Sequence, residues 1–342
     1  MKTRDNKDKQ VGKSDYPDYR FAVAPMIDWS DRHCRYLHRL FSKRALLYTE
    51  MVVADAAIHG PRERLLGFDA AEHPIALQLG GSDPAKLAEA AKIGIGFGYD
   101  EINLNVGCPS DRVQSGTFGA CLMQTPEIVA RCVEAMKAVV SVPVTVKCRI
   151  GVDDQDPEVA LDALADLALA AGADALWVHA RKAWLKGLSP KENREIPPLD
   201  YDRAYRLKAR LGDVFVGING GITTLDAAKT YLEHMDGVML GRAAYHNPAL
   251  LAEVDARLFG DEPVAIDMAD IIEAMCEYTD RHIASGGRLS HVSRHMVGLF
   301  SGLPGARRWR QMLSTDATKP GATSDVLREA YATVTEASAE AA

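Results

Sequence analysis

The chain has 342 residues, 47% of them hydrophobic and 25% charged, enough for one large folded domain and a smaller one. No apolar run approaches the roughly 18 residues of a membrane span, and the polar start MKTRDNKDKQVGKSDYPD lacks a secretory core. A short disordered lead-in over residues 1–18 and a cytoplasmic location are therefore expected. The net charge of −7 excludes a uniformly basic nucleic-acid binder, though not a local basic patch.

Apolar, β-branched runs alternate along the chain with segments of helical spacing. The runs are FAVAPM (21–26), LYTEMV (47–52), IALQLG (75–80), EINLNVG (101–107), VTVKCRIG (144–151), ALWVHAR (175–181), VFVGINGG (214–221) and GVMLGR (237–242). Helical spacing marks 84–94, 126–139 and 157–172, where Pro84, Pro126 and Pro157 stand in first turns that need no proline N–H. Eight strand–helix units in series predict a (β/α)8 TIM barrel over residues 19–255, with a doubly wound open sheet as the structural alternative. Residues 256–342 hold no strand-like run, and a smaller all-helical domain is expected there, with helices at 266–285, 290–300, 305–314 and 322–339.

A barrel of this kind carries its active site at the C-terminal ends of its strands. Polar residues crowd those ends: Glu50, Gln78, Asn105 and Cys108, Lys147 and Arg149, His179 and Arg181, Asn219-Gly220-Gly221 and Gly241-Arg242. The last two segments precede predicted helices, ITTLDAAKTYL and NPALLAEVDARLF, and glycines before a helix N-terminus suit a phosphate group. They also serve as plain tight turns. Lys147 has three readings: a Schiff-base amine, a cation beside an anionic ring system, or a structural partner of a carboxylate such as Glu50. A lone histidine such as His179 is more often structural than catalytic. The six cysteines lack metal-type spacing, so free thiols and no metal site are expected. Cys108 stands apart from the rest, at a strand end and followed by the polar loop PSDRVQSGTFGA. An ordinary thiol is protonated at neutral pH, so it can donate a proton there, although a buried bystander is the plain alternative.

Charge is unevenly spread. Residues 251–280 carry nine acids and one base, whereas 281–315 carry six arginines and no acid. Residues 181–210 hold nine Lys or Arg against four acids. Either stretch is a local polyanion patch or a solvated helix face.

Together, APMIDWSDRHCR, QLGGSDP, DEINLNVGCPSDRVQSGTFGACLM, VPVTVKCRIG, VHARKAWLKGLSPKENREIPPLDY, INGGI and DGVMLGRAAYHNP resemble the tRNA-dihydrouridine synthases, in particular their A subfamily. The resemblance runs from about residue 20 to residue 315. It implies an FMN-binding barrel and a helical domain that together hold tRNA, reducing uridine in the D-loop, at positions 20 and 20a, with electrons from NADPH. By it, Pro25, Met26, Ile27, Gln78, Lys147, His179, Asn219, Gly220, Gly221, Gly241 and Arg242 form the FMN site. Cys108 is the acid that protonates C5 after hydride reaches C6 from the flavin. Asn105, Lys191, Asn193, Arg194, Arg307 and Arg310 meet the tRNA. The expected partners are tRNA and NADPH, with no membrane, no metal and a monomeric state.

Overall fold

The computed structural model describes residues 16–110 and 118–341. The strands are β1 (Phe21–Val23), β2 (Leu46–Tyr48), β3 (Val52–Val53), β4 (Ile75–Gly80), β5 (Glu101–Val106), β6 (Val144–Arg149), β7 (Ala175–His179), β8 (Phe215–Asn219) and β9 (Gly237–Leu240). They pair in parallel in the order β2-β1-β9-β8-β7-β6-β5-β4-β3, and a further β2–β4 pairing closes the sheet into a barrel. The expected (β/α)8 barrel followed by a helical C-terminal part is what the chain forms.

Strand composition explains the closure. Alternate residues face outward and pack under the helices, as Leu77, Leu79, Ile102, Leu104, Val144 and Val146 do. Between them, Leu46, Tyr48, Ala76, Ala175, Trp177, Phe215 and Met239 fill the lower interior. Room for the Trp177 ring comes from Gly217, where a Cβ would lie 2.2 Å from the indole. The helices Pro84–Phe97 and Pro157–Ala170 begin as predicted, each with proline in its first turn and an aspartate, Asp83 or Asp156, accepting backbone N–H bonds as N-cap.

The single strand expected over 47–52 is two. Tyr48 lies opposite Ala76 and Val52 opposite Leu79, so four steps face three and β2–β3 carries one extra residue, a bulge. The bulge frees Thr49 to accept the Gln78 N–H (3.0 Å) and turns the Glu50 carboxylate onto the backbone N–H of Asp28.

Tyr16, inside the expected lead-in, is instead buried at the barrel floor, its ring against Phe215 and its hydroxyl donating to Glu101. The helix expected at 247–259 is a 3-10 stretch (Pro248–Glu253) followed by a π-helical turn (Asp255–Phe259). There the Asp255 carboxylate is drawn off to Ser42 and to the Lys43 N–H, and Gly260 ends the turn in the left-handed region.

The C-terminal helices are Met268–Ala284, Leu289–Ser293, Ala306–Thr315 and Asp325–Ala341. The helix expected over 290–300 stops at Ser293, and the chain continues in turns whose Met296 carbonyl receives the buried Trp309 indole N–H (3.0 Å). Tyr278 docks this domain on the barrel helix Arg32–Phe41 by stacking on Tyr36 (centroids 4.1 Å apart) and bonding His33 Nδ1 (2.7 Å). Asp31, the N-cap of that barrel helix, receives Arg294 and His295 from the same domain. Burial alone would raise the Asp31 pKa, but His295 and His33 hold it below the ordinary carboxylate range.

Candidate active site

A cavity of about 690 Å³ opens at the C-terminal ends of the strands. Its deepest side chains come from inward positions just above the apolar layer: Gln78 on β4, Asn105 on β5, Lys147 and Arg149 on β6, His179 on β7 and Asn219 on β8. Strand pleating puts them there, since residues two apart share a face.

Cys108 sits on a loop clamped from two sides. Asn105 Oδ1 accepts the N–H groups of Gly107 (3.1 Å) and Cys108 (2.9 Å), and Arg149 Nε donates to the Gly107 carbonyl (3.0 Å). The same guanidinium donates to the carbonyls of Lys182 (3.0 Å) and Asn193 (2.9 Å), so one buried arginine joins the thiol's loop to the basic loop after β7. Below, the Asn105 amide donates to Gln78 (2.7 Å), Gln78 to Asn103 (2.8 Å), Asn103 to Thr145 (2.8 Å), and Thr145 to Glu101 (2.5 Å). A continuous hydrogen-bond ladder thus runs from the Cys108 backbone to the floor.

On the opposite side of the mouth, residues 26–30 form a tight loop. The Met26 carbonyl accepts the N–H groups of Trp29 (3.1 Å) and Ser30 (2.9 Å), and Asp28 takes a left-handed φ of 65° held by Glu50. This presents Met26, Ile27 and Trp29 to the cavity, with Ile27 53% exposed.

The electrostatics are one-sided. Lys147, Arg149, His179, Arg194 and Arg242 line the cavity, and among the described residues no carboxylate does. Burial, then the neighbouring Arg149 charge, pushes Lys147 down to about 8, and burial pushes Arg149 down to about 10. His179 falls well below its ordinary value through burial and the Arg149 and Lys147 charges, so its imidazole is neutral at neutral pH. Lys147 Nζ is bonded to Asn219 Oδ1 (3.1 Å), not to Glu50. Such a site favours an anion, which would relieve all three groups. At its rim Gly220 and Gly221 take φ of +117° and +70°, and a Cβ on Gly220 would lie 2.7 Å from the His179 ring. Only glycine lets the backbone come so close to that ring and to whatever lies against it. The helices that follow the two glycine loops, Leu225–Tyr231 and Arg242–His246, are short, so the backbone turns matter here more than helix dipoles.

The model of the dihydrouridine synthase (Dus) family matches residues 22–336. The chain belongs to that family. A tRNA-dihydrouridine(20/20a) synthase of Shewanella oneidensis is 57% identical over 317 residues, covering 93% of this chain and 94% of the relative. Proteins with the same description from Escherichia coli and Vibrio parahaemolyticus are each 56% identical over 316 residues, covering 92% of this chain and 95% and 97% of their own.

Every residue that the family resemblance assigns to the cofactor lines this cavity, as do Cys108, Asn105 and Arg194. Asn105 reaches it with an amide already bonded at both ends, which braces the thiol's loop. Lys191 and Arg194 are exposed, but Asn193 is fully buried and cannot meet RNA: its amide holds Trp184 and Leu188 backbone groups. Arg307 and Arg310 are exposed on the helix Ala306–Thr315 and form no ion pair with a described residue. Of the other arginines in that run, Arg294 is spent on Asp31 and Arg281 lies 3.8 Å from Asp69, so part of the charge docks the domain. Residues 111–117 of the loop after Cys108 lie outside the described residues. The sequence reading set Arg149 beside Lys147 but missed its bracing role; the signal was the alternation that puts both on one face.

Proposed function

We propose that the chain reduces uridine to 5,6-dihydrouridine at positions 20 and 20a of the tRNA D-loop, with FMN as cofactor and NADPH as electron source. The observation that carries this reading is a single cavity in which a loop-clamped thiol shares the mouth with a glycine rim and with buried Lys147 and Arg149, neither bonded to a carboxylate, while Arg242 at the rim pairs with Glu195 (2.7 Å). It suits FMN on three counts: an anionic ring edge near Lys147 and neutral His179, a phosphate at Gly220, Gly221, Gly241 and Arg242, and an apolar ring face against Met26, Ile27 and Met51. Pro25, Gln78 and Asn219 complete the wall. The relatives' names support the substrate and its positions.

Bound FMN would supply what these side chains lack, a hydride for C6 of the uracil, renewed at the expense of NADPH. Addition at C6 places negative charge towards C5, and the Cys108 thiol gives C5 its proton; one hydride and one proton account for the product. Asn105 and Arg149 fix the acid by fixing its backbone. Lys147 and Arg149 keep a positive field in the buried base of the cavity, favouring negative charge on the ligand. The uridine must leave its stack to enter, and Lys191, Arg194, Arg307 and Arg310 would hold the backbone meanwhile. The described residues contain no helix long and apolar enough to cross a membrane.

The test is spectroscopic. Protein loaded with FMN should bleach with NADPH and recover colour anaerobically only on adding tRNA that lacks dihydrouridine. Failure to take up FMN would remove the cofactor assignment; equal recovery with free uridine would replace tRNA by a small substrate.

A further inference from the structure

The connection between β7 and the helix Tyr201–Leu211 spans 21 residues with one 3-10 turn, Glu192–Arg194, and an isolated bridge from Ala183 to Val152, a length that usually marks a working loop. Its backbone is nonetheless pinned. Asn193 accepts the Trp184 N–H (2.7 Å) and donates to the Trp184 carbonyl (2.9 Å) and the Leu188 carbonyl (3.1 Å). The Leu185 N–H is held by Asp153 (2.8 Å), Asp153 N–H by the Ala183 carbonyl (2.8 Å), and the Lys182 and Asn193 carbonyls by Arg149.

The bonds on either side of Trp184 fix the backbone from which its indole projects. Trp184 is bonded through its backbone on both sides, yet the residue is 38% exposed. It is absent from the cavity lining, to which the same loop contributes Pro190 and Arg194. Lys182 Nζ lies 5.7 Å from its ring centroid. Residues 181–194 hold Arg181, Lys182, Lys186, Lys191 and Arg194 against one acid, Glu192. Glu192 is occupied in accepting the Ser189 N–H (2.8 Å). An exposed indole on a pinned backbone, with Lys186, Lys191 and Arg194 exposed on the same loop whose Pro190 and Arg194 line the cavity, matches the chemistry of an unstacked nucleobase on a polyanionic strand.

We propose that Trp184 is a stacking platform for a nucleobase of the RNA, one outside the reactive cavity and distinct from the uridine being reduced. This rests on the reading that RNA is the substrate. Lys186 and Lys191 serve the adjoining phosphates, Lys182 being bonded to the Gln155 carbonyl (2.7 Å), and Asn193 acts through Trp184 by fixing its backbone. The platform holds the strand next to the flipped uridine by a contact that salt does not screen.

The experiment measures affinity of FMN-loaded protein for a tRNA transcript over a range of salt, in the wild type and in Trp184→Phe, Trp184→Leu and Lys186→Ala. FMN content and melting temperature monitor folding. Stacking predicts that Trp184→Leu weakens binding by about tenfold, within the range of one base–aromatic contact, while Trp184→Phe stays within about threefold of wild type. The salt slope should not change in either, because no phosphate contact is lost, whereas Lys186→Ala should make it shallower by about one. Wild-type affinity in Trp184→Leu, or equal losses in the Phe and Leu variants, overturns the stacking role and leaves RNA as substrate intact. A wild-type protein that does not bind tRNA overturns both readings.

Discussion

At the floor of the barrel one carboxylate, Glu101, is fully buried and receives hydroxyl bonds from Tyr16, Tyr48 and Thr145, each at 2.5 Å. At the mouth, Lys147, Arg149 and His179 are held together with no carboxylate among the described residues that line the cavity. Both ends bury ionisable groups on neighbouring strands of one barrel, Glu101 on β5 and the mouth's groups on β6 and β7, so the fold does not dictate the difference. The floor's group has its donors built in. The mouth's cations are left with hydrogen bonds to neutral acceptors, Asn219 for Lys147 and three carbonyls for Arg149, and so remain available to an anion. A buried acid whose hydrogen-bond donors are built in specifies structure; an uncompensated cluster of one sign specifies a ligand.

The amide ladder between the two ends makes the contrast testable. Backbone N–H groups at its top and a carboxylate at its bottom are respectively donor-only and acceptor-only, so each amide between must point its N–H towards the floor. The largest effect is expected at the mouth. Replacing Cys108 with alanine should cost about 10²- to 10⁴-fold in turnover, with FMN content unchanged, in a single-turnover assay on tRNA. Normal product formation from that variant would remove Cys108 from the chemistry.

At the floor, burial raises Glu101 to about 7 although its three hydroxyl donors oppose the shift. A carboxyl whose folded pKa is raised contributes stability that is fully present below its unfolded value and is lost as pH rises through about 7. Wild-type stability should therefore fall against Glu101→Gln by about 3 kcal/mol between pH 4.5 and 8, read as urea midpoints. A pH-independent difference would show that the carboxyl keeps an ordinary pKa.

Between the two ends, Asn105→Ala leaves the Gln78 carbonyl oxygen and the Gly107 and Cys108 N–H groups without partners. Destabilisation of about 1–3 kcal/mol and slower turnover at unchanged tRNA affinity are expected. Loss of stability without loss of turnover would confine the ladder to folding. The smallest effect belongs to the surface: Arg307→Ala with Arg310→Ala should weaken tRNA binding several-fold and reduce the salt slope by about two, leaving FMN content intact. Unchanged affinity would take that helix face out of the RNA interface.

Much of this was legible from residues alone. Runs of Val, Ile and Leu at strand spacing gave the barrel, and polar residues at the strand ends gave the mouth, because pleating turns sequence alternation directly into a face. The bulge at Glu50 was not legible, since it is a mismatch between two strands and neither strand encodes it alone. Asn193 misled for a related reason. A polar residue in a basic loop looks like a surface contact, and only the loop's path over Arg149 and Trp184 shows that it is buried.

What the sequence by itself determined is the order of strands and helices, the inward residues and the family, all of which depend on spacing within short segments or on matched motifs. What only the tertiary structure decided is partnership across distance. Tyr16 reaches Glu101 over 85 positions, Lys147 reaches Asn219 over 72, and Asp31 meets Arg294 over 263. Hydrogen bonds and charge interactions act over a few ångströms, so they form only once the barrel has closed, whereas hydrophobic patterning is already written in every strand.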